Sequence, residues 1–136
     1  MDDLSIATKV LIDTGSPRTV FPRGVGDFLA IEFPRYRTDA SKKIRLLGRD
    51  WPAISATVNL ALPEFDDDLI WEAEADFLMD EELPFGLLGY EGFLNRWAVT
   101  FNAALGYFVI EAADECADRL DQTVLEELHR RHPGLL

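Results

Sequence analysis

Cysteine is nearly missing from this chain, with Cys116 the single one in 136 residues. One thiol cannot close a bridge within its own chain, so no disulfide framework holds the fold and a reducing compartment is the simpler setting. Cys116 also has no histidine close in sequence, and reads as a small helix-face residue rather than a nucleophile. Positive charge is scarce as well: 13 Lys and Arg stand against 25 Asp and Glu, a formal net charge of -12. That balance argues against a nucleic-acid partner, whose phosphates must be met by cations. Long apolar runs are missing too, and the opening Met1-Asp2-Asp3 is acidic where a secretory leader is basic. The expectation is a soluble, cytoplasmic protein with no membrane partner. What the chain does have is 48% hydrophobic residues. At this length they support one domain with a real core, and two comfortable domains would not fit.

One stretch stands out. Val10-Leu11-Ile12 runs straight into Asp13-Thr14-Gly15-Ser16, so an apolar strand ends by presenting a carboxylate on a turn. Aspartate is disfavoured inside strands, and an ionised one against apolar neighbours is costly unless hydrogen bonds compensate. Gly15 lets the backbone turn sharply and bring its amides towards that carboxylate.

From Val10 to Phe21 the residues Val-Leu-Ile-Asp-Thr-Gly-Ser-Pro-Arg-Thr-Val-Phe resemble the active-site signature of aspartic peptidases. A second piece, Leu87-Leu88-Gly89, is similar to the apolar-apolar-Gly element that packs beside the catalytic turn in the retroviral-type, retropepsin-like branch. The resemblance spans roughly Leu4 to Glu111 and implies an all-β dominated fold. Its form would be a single-lobe, closed β-barrel with a short helix after Leu87-Leu88-Gly89. Residues 1–111 would be the peptidase domain and 112–136 a C-terminal helical extension. The implied activity is that of an aspartic endopeptidase acting on protein or peptide substrates, with no metal or organic cofactor. An alternative of another class is a catalytically silent retropepsin-like module for dimerisation or peptide binding.

The chain holds one Asp-Thr-Gly turn, whereas the implied chemistry uses two carboxylates. The second must come from another copy, which makes the expected assembly a C2 homodimer. In the family, Asp13 would be the catalytic residue, one from each subunit. Thr14 would bond across the axis to the partner's turn, while the Gly15 amide and the Ser16 hydroxyl would donate to the carboxylates. Family members carry an acid and an arginine, joined as an ion pair, where this chain has Pro17 and Tyr90.

The rest of the chain supplies a frame. Leu4 to Ile12 alternates as one strand, and Thr19-Val20-Phe21 is a short one closed by Pro22, before a helical turn or two from Gly24 to Ala30. Residues 31–43 read as irregular and carry Arg35, Arg37, Lys42 and Lys43, either a plain surface loop or a basic patch that meets substrate. Ile44 to Leu47 and Ala53 to Leu62 read as strands joined by a turn, Gly48-Arg49-Asp50-Trp51-Pro52. In the family this hairpin is the flap over the substrate, which makes Gly48, Arg49, Asp50 and Trp51 candidate substrate-binding residues. Ordinary core packing is the other reading of Trp51.

Pro63 to Asp68 is an acidic turn without the spaced ligands and fixed glycine of a calcium loop. Leu69 to Met79 alternates as a strand with one buried face and one acidic face, Glu72, Glu74 and Asp76. Tyr90 to Trp97 is the expected short helix, followed by a hairpin of Val99-Thr100-Phe101 with Tyr107 to Ile110. Between Asp114 and Arg131, Ala117, Leu120, Val124 and Leu128 recur at helical spacing. That helix would cover a sheet face of its own subunit or join the dimer interface.

Overall fold

The structure is a computed structural model and describes residues 4–46, 48–62, 70–80, 83–114, 116, 122–131 and 133. The chain divides into two compact units, Met1–Asn95 and Arg96–Leu136. In the first unit, β1 (Val10–Ile12), β2 (Val20–Phe21), β3 (Lys42–Leu46), β4 (Arg49–Ala61), β5 (Ile70–Leu78) and β6 (Gly86–Leu88) form a curled sheet. Their order across it is β1-β6-β2-β5-β4-β3. Helix α1 (Arg23–Phe28) follows β2, and a 3-10 turn, Arg37–Asp39, precedes β3. The second unit holds the hairpin β7 (Trp97–Asn102) with β8 (Tyr107–Ala112), and helix α2 (Gln122–Arg131). Strands dominate, as the alternating patterns anticipate. No described helix is long and apolar enough to cross a membrane.

The first sheet is built around β5. Along β4 and β5 the antiparallel register runs unbroken from Ala53↔Leu78 to Ala61↔Ile70, while β2 lies parallel on the other side of β5. Successive side chains on a strand point to opposite faces, so the neighbours Val20 and Phe21 enter different clusters. On one face Val20 packs with Ile44, Trp51, Ala53, Leu78 and Leu87. Across the sheet, Phe21 packs with Val25, Ala75 and Phe77, backed by Ile54, Ala56, Val58 and Leu60 of β4. The Phe21 and Phe77 rings stack with centroids 5.6 Å apart. Central strands buried on both faces explain why Phe77 and Leu78, adjacent in sequence, are 0% and 1% exposed.

Four expectations change. The sheet is open rather than a closed barrel among the described residues, with β1 and β3 as its edges. Closure requires the outer strands to pair along their length, and β1 has only 3 residues in the ladder. Residues 4–9, expected to extend that strand, are exposed and outside any ladder.

The short helix after Leu87-Leu88-Gly89 is replaced by wide turns, with Leu94 N donating to Gly89 O at 3.0 Å and Asn95 N to Tyr90 O at 2.9 Å. Gly92 takes a φ of +94°, which no right-handed helix accommodates. The Trp71 indole N–H holds the Gly92 carbonyl at 2.7 Å, and Phe93, 0% exposed, packs against the Trp71 ring.

In the third change, Arg49 to Pro52 belongs to β4 rather than to a turn. Pairing continues to Leu46↔Arg49, and Gly48, with its φ of +75°, stands at the reversal. Lastly, the irregular 31–43 segment ends early, because Lys42 and Lys43 already pair with Ala53 and Pro52. Leu47, Pro63 to Asp68, Leu69, Ala117 and Leu120 lie outside the described residues. The β7–β8 hairpin forms as expected, its turn closed by Asn102, whose Oδ1 accepts from Leu105 N at 3.1 Å.

Candidate functional site

The sheet order places β6 between β1 and β2, parallel to the first and antiparallel to the second. The two sequence motifs, 74 positions apart at Asp13 and Leu87, therefore become neighbours. Val10, Leu11 and Ile12 pair with Gly86, Leu87 and Leu88, and the Asp13 amide donates to Leu88 O at 2.9 Å. The chain then turns, with Ser16 N donating to Asp13 O at 3.1 Å. Gly15 N donates to the Asp13 carboxylate at 3.0 Å, as the Asp-Thr-Gly pattern anticipates. Asp13 is half-buried, while Thr14 and Gly15 are exposed.

Ser16 departs from expectation. Its hydroxyl donates to Arg18 O at 2.7 Å rather than to the Asp13 carboxylate, because the side chain turns inward, leaving the residue 5% exposed. The leg that follows the turn is clamped to the segment after β6. Tyr90 N donates to Ser16 O at 2.9 Å, Glu91 N to Pro17 O at 3.0 Å, and Thr19 N to Glu91 O at 3.0 Å. Thr19, 0% exposed, uses its hydroxyl in both directions. It donates to Glu91 O at 2.7 Å and accepts from Gly89 N at 3.3 Å.

Gly89 is a site of close approach: a Cβ there would sit 2.6 Å from Ser16 O and also strike Arg18 O. Backbone cannot yield as a flexible side-chain tip can. Gly89→Ala is expected to lower stability by about 1–3 kcal/mol, the usual range for overpacking. Urea denaturation reads that loss, and hydrogen exchange at the Tyr90 and Glu91 amides locates it.

Of the flap candidates, Gly48, Arg49 and Asp50 are exposed at the tip of the β3–β4 hairpin. Trp51 is 7% exposed in the cluster that also contains Val20 and Leu87. Its indole N–H donates to Leu46 O at 3.1 Å, and the Arg49 guanidinium lies 4.6 Å over the ring. Core packing is thus the reading of Trp51 that fits. It roots the hairpin beside Leu87 and does not hang from its tip.

The strongest electrostatic feature was not singled out from the sequence. Asp76, placed by strand alternation on an acidic face with Glu72 and Glu74, is 0% exposed. Its carboxylate accepts from Arg18 Nε and Nη2, both at 2.9 Å, from Lys42 Nζ at 3.0 Å and from Ser55 Oγ at 2.7 Å. Burial pushes the Asp76 carboxyl up, but the bonds from Arg18, Ser55 and Lys42 outweigh that and hold it below its ordinary value. The Asp76 hydrogen bond raises the Arg18 pKa against the opposing pull of burial. Glu74, half in solvent, adds a 3.1 Å contact to Arg18. The available signal was the conjunction of an acid in a core-length strand with two cations, Arg18 and Lys42, in a cation-poor chain.

Chemically, the site offers an accessible carboxylate held at a fixed point, with an exposed hydroxyl beside it and a buried salt bridge behind it. Comparison of the chain with protein-family models, with curated proteins and with solved structures finds no match.

Proposed function

We propose that this chain is a retropepsin-like aspartic endopeptidase that works as a homodimer. The observation that carries the reading is the Asp13 turn: the carboxylate accepts the Gly15 amide while its own amide is tied to Leu88 O. A carboxylate so fixed, at the half-exposed end of β1, suits pairing with the same group of a second copy. Two such groups at contact distance cannot both stay ionised away from water, so the pair holds one proton; this enzyme class is a standard illustration of that effect. The ionised member takes a proton from a water as it attacks the substrate carbonyl, and the protonated member donates to the carbonyl oxygen. The two protonations belong to the pair, so the rate is expected to follow a bell-shaped pH profile. The exposed tip at Gly48, Arg49 and Asp50 serves as the lid over a bound protein or peptide, with Trp51 as its anchor.

The alternative, a catalytically silent module for dimerisation or peptide binding, draws on the Ser16 hydroxyl. Bound to Arg18 O, it leaves the carboxylate without the second donor the motif implies. Incubation with an unfolded protein at mildly acid pH, with and without a statine-type transition-state mimic, separates the two. Cleavage blocked by the mimic is the expected result. A dimer that binds the mimic or a peptide without cleaving would establish the silent module instead.

A further inference from the structure

We infer that Asp76 and Arg18 are positioning residues for the Asp13 turn, an internal brace that sets where the carboxylate stands. The inference rests on the peptidase reading for its catalytic meaning and on geometry for its structural part. Arg18 is held at both ends. Its guanidinium grips Asp76 through two bonds of 2.9 Å, and its carbonyl accepts the Ser16 hydroxyl at 2.7 Å. Ser16 in turn closes the Asp13 turn through its amide at 3.1 Å. The next residue is fixed to the same strand, since Asp76 N donates to Thr19 O at 2.9 Å.

Asp76 sits on β5, three positions from β1 across the sheet order, so the brace refers the turn to the stretch of β5 that is buried without interruption from Ala75 to Leu78. A forked arginine–carboxylate pair has fixed geometry as well as energy. Releasing Arg18 from Asp76 removes the side-chain tether on the residue whose carbonyl holds Ser16 and faces Gly89. A buried ion pair often contributes little net stability compared with apolar packing, and its better-attested use is to fix one register. The positions Pro17 and Tyr90 cannot form an ion pair, which leaves Arg18 as the charged residue that ties this loop to the sheet.

The test uses Arg18→Met, which leaves Lys42 and Ser55 on Asp76, and Arg18→Lys, which keeps the charge without the fork and covers a failure of the first to fold. Ser55→Ala is the control, because it removes a bond to the same carboxylate without touching Arg18. Hydrogen exchange is expected to show the Asp13, Ser16, Tyr90 and Glu91 amides losing protection roughly ten-fold or more in the Arg18 variants. The β4–β5 ladder should keep its own. Steady-state cleavage should show kcat falling by about 10²-fold with KM little changed, the scale of a catalytic group displaced by an ångström. Ser55→Ala should move neither readout.

Loss of protection spread evenly over turn and ladder, or a turn as protected as in the parent, would overturn the brace. So would a loosened turn with kcat intact. Absence of cleavage by the parent protein counts against the peptidase reading alone, since the exchange contrast still decides whether Arg18 holds the turn.

Discussion

Asp13→Asn is expected to abolish peptide cleavage, lowering the rate by about 10⁴-fold. Both the proton acceptor and the proton donor of the proposed dyad are Asp13, so one substitution in the gene removes both, and each such role contributes about 10²–10⁴-fold. Asparagine keeps the shape of aspartate and an oxygen for the Gly15 amide, which lies 3.0 Å from the carboxylate. Folding and dimerisation should therefore survive, and sedimentation should give the same species as the parent. A further consequence separates paired from independent carboxylates. When parent and variant chains are mixed in equal amounts and allowed to exchange, roughly one quarter of the dimers carry two carboxylates. Activity should fall towards that fraction, whereas independent sites would retain half.

Asp76→Asn is expected to cost about 3–5 kcal/mol, the range for removing one partner of a buried ion pair. A domain of this kind has about 5–15 kcal/mol in total, so the variant is marginal at best. The physical reason is that Arg18 and Lys42, at 2.9 and 3.0 Å, lose the charge that compensates their burial. Ser55→Ala removes one neutral donor and should cost about 1 kcal/mol. Chemical denaturation over a pH series checks the electrostatic origin. Asp76 is held below its ordinary 3.8 in the folded protein. Its contribution is complete above that unfolded value and is lost as pH falls through the lower, folded value. The gap between parent and Asp76→Asn should hold steady from neutrality to about pH 5 and narrow in stronger acid. A gap that instead widened on acidification would contradict the assignment.

Much of the frame was legible because it is written in period and punctuation. The alternation of Ile54, Ala56, Val58 and Leu60 marks β4, and those side chains do line one face against Phe21 and Phe77. The Val10-Leu11-Ile12-Asp13 junction and Leu87-Leu88-Gly89 were both identified, and β1 and β6 do bring them together. Depth was harder to read. Alternation tells which side of a strand a residue faces, not whether that side is covered. Asp76 thus looked like Glu72 and Glu74 until the leg before β2 and strand β3 placed Arg18 and Lys42 over it.

The turn expected over Gly48 to Pro52 failed for a related reason. Gly48 and Pro52 suggested a five-residue turn, but burying an indole with its N–H satisfied by Leu46 O extends the ladder to Arg49. The expected helix after Gly89 was lost to a tertiary contact. Phe93, Leu94 and Trp97 do have helical spacing, but the Trp71 bond to Gly92 O and the positive φ of Gly92 select a different path. Trp71 itself stands outside the local sequence reach of that segment, 21 positions before Gly92.

One active centre shared by two chains is the central requirement of the proposed mechanism. Isothermal titration of the purified protein with a statine-type mimic measures that directly, and one mimic bound per two chains is the predicted stoichiometry. One mimic per chain, with the protein sedimenting as a monomer while it cleaves substrate, would contradict it.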